Sequence, residues 1–518
     1  CRPPIPLRRL LPGSYLIWLI YWLGNLYWLI EVTLPGYIAF FFVQACYGAI
    51  LAFCVQFIRR RQWPLTFFAP LLLVGAEAWQ GVLFTGFSWY FLAHSQYQNL
   101  QLIQLCDIFG QLGVSFLIAM VNGLFADLWL DAAAGRLLRP ANLAKPAVVV
   151  LLLVGSLIYG SRQLNRADQY RSDGPKIGVV QTNVPSHIKE ISENGPAIMQ
   201  TLLTLSGACY DAGAILTAWP ETIVLAALNS DYLFYLSSDD PANLYDRQIR
   251  DHCRGRGYVL AGAHALKVGL SAGQYTITDQ YNSAFLYNPD GLQSSCRYDK
   301  IHLVPFGEYI PFKDSAPWIY RIILGLSPYD FDYNLTAGKK FTRFEIEQDS
   351  RRFGFGVLIC YEDTDPFVCR KMVFNENQAR KADFLVNLSN DGWYVRYKKG
   401  MIYPSVELAQ RTAITVFRCV ENRIAVVRSV NTGISCLIDP DGRIRNEYQA
   451  GTLPKNAMDR KGTNGEGWFV DRVPLDSRIT FFTRYGRWLD VLLRIGSLTI
   501  FAAALYDGFK NRSKRNLT

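Results

Sequence analysis

Long apolar runs lie near both ends of the chain, and a middle region of short alternating elements lies between them. A helix that crosses a bilayer needs about 20 apolar residues. Six segments approach that length and predict membrane helices: 14–30, 37–58, 65–76, 112–130, 146–161 and 488–506. The third and fifth are short, and the last contains Asp490 and Arg494, so a core helix is an alternative for each of these three.

The middle region has short β-rich runs, several of them apolar throughout, as in strands that are covered on both faces. The predicted strands are 176–181, 214–221, 258–264, 283–288, 355–362, 383–390, 424–430 and 434–439. Stretches with a helical pattern, 195–211 and 403–420, separate some of them. The turns "NPDG" (288–291) and "DPDG" (439–442) suggest hairpins in two related sheets. We predict an α/β sandwich with its helices on the outside.

Basic residues cluster at the ends of the apolar runs, which predicts how the chain crosses a membrane. The net charge is +10, and three clusters lie at 59–61, 136–145 and 510–515. Cytoplasmic loops are rich in Lys and Arg. With six crossings, every cluster falls on the cytoplasmic side and residues 162–487 fall outside, which in a bacterium is the periplasm. We expect a helical bundle over 1–165, a periplasmic domain over 170–478, and a last helix with a basic tail over 484–518.

Composition argues against two other classes of protein. A nucleic-acid-binding protein needs a basic face with interleaved aromatic residues, whereas the basic residues here flank apolar runs. The eleven cysteines contain no CxxC pair, and the five histidines contain no HExxH motif. We therefore expect neither nucleic-acid binding nor a metal site.

Three reactive side chains follow predicted strands, where the sites of layered α/β folds tend to gather. Glu221 lies in "AWPETIV", Lys300 in "RYDKIHLVPFGEYIPF" and Cys360 in "GVLICYEDTDP". Thiol acylation uses this set: the cysteine is the nucleophile, the carboxylate is a general base, and the ammonium favours thiolate and stabilises the oxyanion. A second carboxylate, Glu308 or Glu362, could hold the lysine.

Alternatives remain for each residue alone. Glu221 fits a surface loop, Lys300 fits a solvated charge, and Cys360 fits a buried small side chain. Sequence separation does not show that the three meet. "GLSAG" (269–273) matches the G-x-S-x-G form of a serine nucleophile, but that motif needs a helix after the serine, and "GQYTITDQ" favours a strand or loop.

The motifs together resemble the apolipoprotein N-acyltransferases, the bacterial membrane branch of the nitrilase superfamily. The resemblance is carried by "AWPET", "YDKIHLVPFGEYIPF", "LICYED", "NLSNDGWY", "EAWQGVLFTGFSW" and "TFFTRYGRWLDVLL", and it covers almost the whole chain. It implies a nitrilase-like α-β-β-α sandwich inserted into a transmembrane helical bundle. It also implies transfer of an acyl chain from a phospholipid to the α-amino group of an S-diacylglyceryl cysteine at the N-terminus of an apolipoprotein.

The resemblance assigns roles to individual residues. The family's Glu-Lys-Cys triad falls on Glu221, Lys300 and Cys360, and its reaction is ping-pong through a cysteine thioester. Its supporting residues fall on Glu308, Tyr361 and Glu362. No cofactor is implied. We expect a monomer in the inner membrane, with the catalytic domain facing the periplasm and the site open to the bilayer.

Some assignments concern the lipid substrates. Aromatic residues are expected to border the site, namely Trp79, Phe87, Trp89 and Trp393, although aromatic residues also favour membrane interfaces for their own sake. Loops 305–335 and 391–404 are candidate lids.

The sequence departs from the family pattern in several places. The family usually has eight membrane helices, and the first two are expected to be absent from this chain. Glu190 stands where a tryptophan is frequent, Ser88 where proline is favoured, and Tyr394 where phenylalanine is frequent. Two other functions remain open: a membrane-anchored nitrilase-type amidase, and an inactive membrane scaffold.

Overall fold

The chain forms two compact units. A computed structural model describes residues 5–515 except 84–85, 190, 272–273, 314, 326–333, 375–379, 381 and 462–464. One unit, the helical unit, combines the chain up to Arg166 with the chain from Thr480 onward. The other, the α/β unit, comprises Ala167–Ile479.

The described elements follow in chain order. The α-helices are α1 (Leu7–Asn25), α2 (Leu34–Arg60), α3 (Leu65–Gln80), α4 (Leu100–Ile103), α5 (Cys106–Phe109), α6 (Gln111–Ala133), α7 (Pro140–Asn165), α8 (Ser186–Lys189), α9 (Gly195–Asp211), α10 (Ser230–Leu233), α11 (Pro241–Cys253), α12 (Pro317–Gly325), α13 (Pro366–Val373), α14 (Glu407–Asn422), α15 (Phe481–Tyr485) and α16 (Trp488–Arg515). The strands are β1 (Arg171–Gln181), β2 (Leu216–Ala218), β3 (Val224–Ala227), β4 (Tyr258–Ser271), β5 (Gln274–Tyr287), β6 (Gln293–Asp299), β7 (Arg343–Gln348), β8 (Arg351–Ile359), β9 (Phe384–Ser389), β10 (Val395–Lys398), β11 (Met401–Pro404), β12 (Ala425–Val430), β13 (Cys436–Ile438), β14 (Ala450–Gly451) and β15 (Gly467–Asp476).

Four described helices are long and apolar enough to cross a membrane, judged by length and composition. They are Leu34–Arg60, Gln111–Ala133, Asn142–Asn165 and Trp488–Lys510, and they coincide with four of the six predicted segments. The predicted segment 65–76 lies in α3, an apolar helix of 16 residues. The predicted segment 14–30 is divided between α1 and a one-turn helix at Tyr27–Glu31. Five spans within 1–165 therefore stay a prediction.

Polar contacts place the basic stretches of the helical unit at one end of it. Arg61, after α2, pairs with Asp507 of α16 at 2.7 Å. Asp127 of α6 accepts hydrogen bonds from two backbone N–H groups at the start of α3, at 3.0 and 2.9 Å. Lys145 of α7 lies 3.9 Å from the same carboxylate. Five helix ends thus lie at the same end of the unit. They are the end of α2, the start of α3, the end of α6, the start of α7 and the end of α16.

The α/β unit is built on two main sheets that pack against each other. The first has the strand order β14-β15-β1-β2-β4-β5-β6, with β3 paired to β4, and the second has the order β13-β12-β9-β8-β7. Strands β1, β5 and β15 contact the second sheet, α9 and α11 pack on the first sheet, and α13 and α14 lie against the second. This is the predicted α-β-β-α sandwich, and the expected fold is confirmed.

Strand direction brings the important strand ends to a common edge of each sheet. In the first sheet β2 is parallel to β4, and β6 runs parallel to both because β5 is antiparallel to β4 and to β6. In the second sheet β8 is parallel to β9. Ser429 of β12 joins the sheets by donating to the carbonyl oxygens of Val180 and Ala218, at 3.0 and 2.8 Å.

The predicted elements overlap observed ones, but not every observed strand was predicted. Each of the eight predicted strands overlaps an observed strand, and the predicted helix 195–211 coincides with α9. The predicted helix 403–420 begins later, at Glu407, because 401–404 forms β11. The strands that were not predicted are β3, β6, β7, β10, β11, β14 and β15. Two of them, β6 and β7, are edge strands with exposed polar positions, which hide the apolar pattern.

Candidate active site

The structure brings Glu221, Lys300 and Glu308 together. Glu221 follows β2 and is 6% exposed, and Lys300 follows β6 and is 1% exposed. The Lys300 Nζ donates to Glu308 Oε1 at 2.8 Å and lies 3.5 Å from Glu221 Oε1. Of the two carboxylates considered for holding the lysine, Glu308 makes the contact.

Asn282, in the interior of β5, is a site residue that the sequence did not reveal. Its Nδ2 donates to Glu221 Oε1 at 2.7 Å and to Glu308 Oε1 at 3.1 Å. A neutral amide between two carboxylates holds them close together without adding charge. The available signal was a polar residue inside a buried strand, "NSAFLY", which on its own is a weak one.

Glu221 is fixed from the second sheet as well. Its Oε2 accepts a hydrogen bond at 2.9 Å from the backbone N–H of Asn390, which follows β9. Lys189 donates to the Glu221 carbonyl oxygen at 3.0 Å and to Thr222 Oγ1 at 2.6 Å. Contacts from several elements therefore determine where this carboxylate points.

Cys360 stands at the sharp turn where β8 passes into the one-turn helix Cys360–Thr364. Its φ is +52°, an uncommon value for a residue other than glycine, and the side chain is 7% exposed. Asn387 of β9 donates to the Cys360 carbonyl oxygen at 3.3 Å. The charges of Glu221 and Lys300 both act on the thiol. The cysteine therefore shares one electrostatic environment with the predicted base and cation.

Glu362 does not hold the lysine side chain, so that alternative is wrong. The carboxylate is fully buried and accepts four hydrogen bonds. The donors are Tyr298 Oη at 2.7 Å and the backbone N–H groups of Ile301, His302 and Ile359 at 2.8, 3.1 and 2.7 Å. Glu362 therefore ties the chain that follows Lys300 to the chain that precedes Cys360.

The aromatic candidates occupy different units. Tyr361 is buried and meets the ring of His302 edge-on, at 5.2 Å between centroids. Trp393, in the α/β unit, is 44% exposed. In the helical unit Trp79 lies 5.9 Å from the Arg494 guanidinium, and Phe87 stacks on Trp89 at 5.4 Å. Substrate binding by Trp79, Phe87 and Trp393 stays a prediction.

Several other predictions depend on the course of the chain. Residues 391–404 form a short turn and the β10–β11 ribbon. Glu190 and residues 326–333 of the other candidate lid lie outside the described residues.

Ser271 of "GLSAG" ends β4, and β5 begins at Gln274, so the helix that a serine nucleophile needs does not follow. Among the described residues, no cluster of three or more His, Cys, Asp or Glu side chains could hold a metal ion.

Burial and charge determine the resting protonation states. Burial raises the pKa of the Cys360 thiol to about 12, although Arg411 and Lys300 act in the opposite direction. Burial would also raise the pKa of Glu221, but Lys300 and Lys189 outweigh it, and the net effect lowers that pKa. Burial opposes the charge of Lys300, yet Cys360, Glu308 and Glu221 raise its pKa. The site therefore rests as thiol, carboxylate and ammonium. Lys300 lowers the pKa of the thiol, as expected from the sequence, but burial outweighs this effect.

Comparison with known proteins identifies the class first. A carbon-nitrogen hydrolase model matches residues 176–454, which places the α/β unit in the nitrilase superfamily. A model of the apolipoprotein N-acyltransferase N-terminal domain matches residues 3–124.

Curated relatives identify the family within that class. The apolipoprotein N-acyltransferase of Geobacter metallireducens is 30% identical over 90% of this chain and 80% of its own length. The one from Chlorobaculum tepidum is 26% identical over 91% of this chain and 83% of its own length. The chain belongs to the apolipoprotein N-acyltransferase family and is a membrane acyltransferase.

Replacing Asn282 is expected to disturb Glu221 and Glu308 together. In Asn282→Ala, Glu221 and Glu308 lose their shared donor, and a hydrogen bond to a charged group contributes about 1.5–3 kcal/mol. We expect acyl transfer to fall roughly 10- to 100-fold. Asn282→Asp adds a third carboxylate and should lower the rate further. Initial rates of acyl transfer measure both effects.

Gln280→Ala is the matched control, because Gln280 lies two residues away on the same face of β5. It should retain nearly full activity. An Asn282→Asp enzyme with wild-type rates would contradict the assigned geometry.

The pH dependence of the first acylation step should distinguish base catalysis from attack by a pre-formed thiolate. A base with a lowered pKa stays ionised well below neutrality and is lost only as pH falls through that lowered value, under the ordinary value of 4.5. The rate with an activated ester should therefore be nearly flat from about pH 5 to 9. A pre-formed thiolate with a pKa of about 12 would instead make the rate rise about tenfold per pH unit. Such a slope would exclude Glu221 as the base.

Proposed function

We propose that this enzyme moves an acyl chain from a membrane phospholipid, through a thioester on Cys360, to the α-amino group of the S-diacylglyceryl cysteine of an apolipoprotein. The observation that carries the proposal is the convergence of Glu221, Lys300 and Cys360 in a chain of this family. The relatives' name specifies lipoprotein N-acylation. They do not favour the alternatives of an amidase or a scaffold.

In the first half-reaction the Cys360 sulfur attacks the carbonyl carbon of a phospholipid ester. Glu221 accepts the thiol proton as the carbon–sulfur bond forms. The Lys300 ammonium stabilises the oxyanion of the tetrahedral intermediate, an effect of about 3 kcal/mol for one such donor. The intermediate breaks its carbon–oxygen bond, and the departing lysophospholipid oxygen takes the proton from Glu221.

In the second half-reaction the free α-amino group of the apolipoprotein attacks the thioester. Glu221 now accepts a proton from the nitrogen, and Lys300 again stabilises the oxyanion. The carbon–sulfur bond breaks, the proton returns to the Cys360 sulfur, and an amide remains on the acceptor. One carboxylate thus serves both steps, which suits a ping-pong sequence.

Burial protects the thioester between the two steps. Each of the three reacting side chains is at most 7% exposed. Limited access for water favours transfer to an amine over hydrolysis.

We further propose that the enzyme lies in the bacterial inner membrane with its α/β unit in the periplasm. Support comes from the helical unit, where Arg61 and Asp507 pair and Lys145 lies close by Asp127 at the same end. Basic ends face the cytoplasm in most membrane proteins. The chain enters the α/β unit after α7 and leaves it before α16, and these ends of the two helices are opposite to the basic end.

A covalent adduct is the direct test of the mechanism. After incubation with phospholipid vesicles, intact mass spectrometry should show a gain of one acyl chain, located at Cys360 by peptide mapping. Glu221→Gln and Lys300→Ala should each suppress this adduct at least 100-fold, because each removes a group that acts in the transition state. Addition of an N-terminal diacylglyceryl peptide should discharge the adduct as N-acylated peptide.

Cys296→Ala is the matched control, since Cys296 is an exposed thiol of the same unit. It should form the adduct normally. An adduct that persists in Cys360→Ala would overturn the assignment. Turnover of simple amides without acylation by phospholipid would indicate an amidase.

Labelling with a membrane-impermeant maleimide tests the orientation. In spheroplasts, exposed Cys296 should react at once. In a variant that lacks Cys46 and Cys296, a cysteine introduced by Gln62→Cys, at the basic end, should react only after permeabilisation. The reverse pattern would place the α/β unit in the cytoplasm.

A further inference from the structure

A cluster of buried charges lies behind the nucleophile turn and is not used in the mechanism above. Its members are Asp363, Asp391, Glu407, Arg411 and Arg428, each at most 1% exposed. Charges removed from water are unfavourable unless they are paired. The burial of so many charged side chains near Cys360 therefore suggests that they have a role at the site.

Arg411, on α14, connects the turns that carry the nucleophile and the base. Its Nη1 donates to Asp391 Oδ1 at 2.7 Å, and its Nε donates to Asp363 Oδ1 at 3.3 Å. Asp363 belongs to the one-turn helix that begins at Cys360. Asp391 directly follows Asn390, whose backbone N–H binds the Glu221 carboxylate. One guanidinium thus links both halves of the site.

The charges within the cluster are balanced. Arg428 bonds to Asp363 and lies 3.7 Å from Asp391, so two guanidinium groups face two aspartates. Both carboxyl oxygens of Glu407 lack a hydrogen-bond partner among the described residues. Burial, reinforced by Asp391, raises the pKa of Glu407 well above its ordinary value. The paired aspartates, rather than Glu407, make the hydrogen bonds that hold Arg411 in place.

The Lys300 ammonium is shared between several anions. It faces the carboxylates of Glu308 and Glu221. When the thiol proton moves to Glu221, the negative charge moves from that carboxylate to the sulfur. Meanwhile the Arg411 Nη2 has no partner within the described part of the chain, although it is buried. Arg411 is therefore a second cation that acts on the thiol, and it has a donor that no described group uses.

We propose that Arg411 is a positioning residue for acyl transfer: it fixes the nucleophile turn against the base turn and offsets the negative charge that develops on Cys360. The inference rests on the proposed function only in taking Cys360 as the nucleophile. The effects of the neighbouring charges on the pKa of the Cys360 thiol agree with this inference. Although burial raises the pKa of Cys360, Arg411 is the charge that lowers it most, ahead of Lys300, while Glu221 and Glu308 raise it.

The test is the pH profile of Cys360 alkylation by iodoacetamide, in full-length protein in which exposed Cys46 and Cys296 are serine. Peptide mass spectrometry follows Cys360 alone. Arg411→Met should move the profile at least one pH unit higher, which is about a tenfold lower rate at a fixed pH below the thiol pKa. Arg411→Lys keeps the charge and should stay within about threefold of wild type.

Arg418→Met is the matched control. Arg418 lies on the same helix, is fully buried, and donates to the Thr364 carbonyl oxygen of the same turn at 3.0 Å. It is not among the charges with the largest effect on the thiol. This variant should lower the unfolding temperature without moving the alkylation profile.

Asp391→Asn is expected to shift the alkylation profile in the opposite direction to Arg411→Met. This second test remains informative even if the Arg411→Met protein does not fold. Removing the anion that partly cancels Arg411 should move the profile to lower pH. The proposal is overturned if Arg411→Met superimposes on wild type, if Arg418→Met shifts the profile equally, or if Asp391→Asn moves it upward. Because alkylation needs no lipid, failure here is distinguishable from failure of the acyl-transfer proposal, which the phospholipid adduct tests.

Discussion

The site depends on one buried carboxylate that does not react. Glu362 accepts hydrogen bonds from the chain after β6 in the first sheet and from the end of β8 in the second. Without it, the buried Ile359 N–H and the half-buried Ile301 N–H would lose this hydrogen-bond acceptor, and an unpaired buried N–H costs about 1–3 kcal/mol. Lys300 and Cys360 come from different sheets, so their separation is set by this shared anchor and by Ser429, which joins the sheets nearby.

Depth of burial then determines which group carries the charge at each stage. The same desolvation that keeps the Cys360 thiol protonated would neutralise Glu221, but the cations around the carboxylate reverse the effect there. In the proposed mechanism the base is therefore charged at rest and the nucleophile is neutral at rest. A neutral thiol is less readily oxidised than a thiolate. In that mechanism the reactive form arises only when an ester is in place and the proton can move to Glu221.

The three residues proposed to react could be singled out from the sequence because they stand at strand ends, where a polar side chain interrupts an apolar run. Glu221, Lys300 and Cys360 could be found in this way. The apolar runs themselves indicated eight of the described strands, and the helical pattern indicated α9. Asn282 and Arg411 could not, since one lies inside a strand and the other inside a helix, where spacing carries no sign of a partner far away in the chain. For the same reason, the sequence could not show whether Glu308 or Glu362 contacts the Lys300 ammonium. That contact depends on the fold.

The ends of the α/β unit explain how it can be inserted within a helical bundle. Its first strand, β1, pairs antiparallel with its last, β15, from Arg171 opposite Asp476 onward. Beyond that pair, the Ser477 backbone N–H donates to the Tyr170 carbonyl oxygen at 3.1 Å, and the Arg478 guanidinium lies 5.3 Å from the Tyr170 ring. A unit with adjacent ends closes on itself, so it replaces a short loop between two helices at little entropic expense. The helical unit can therefore be completed by α16 after more than 300 intervening residues.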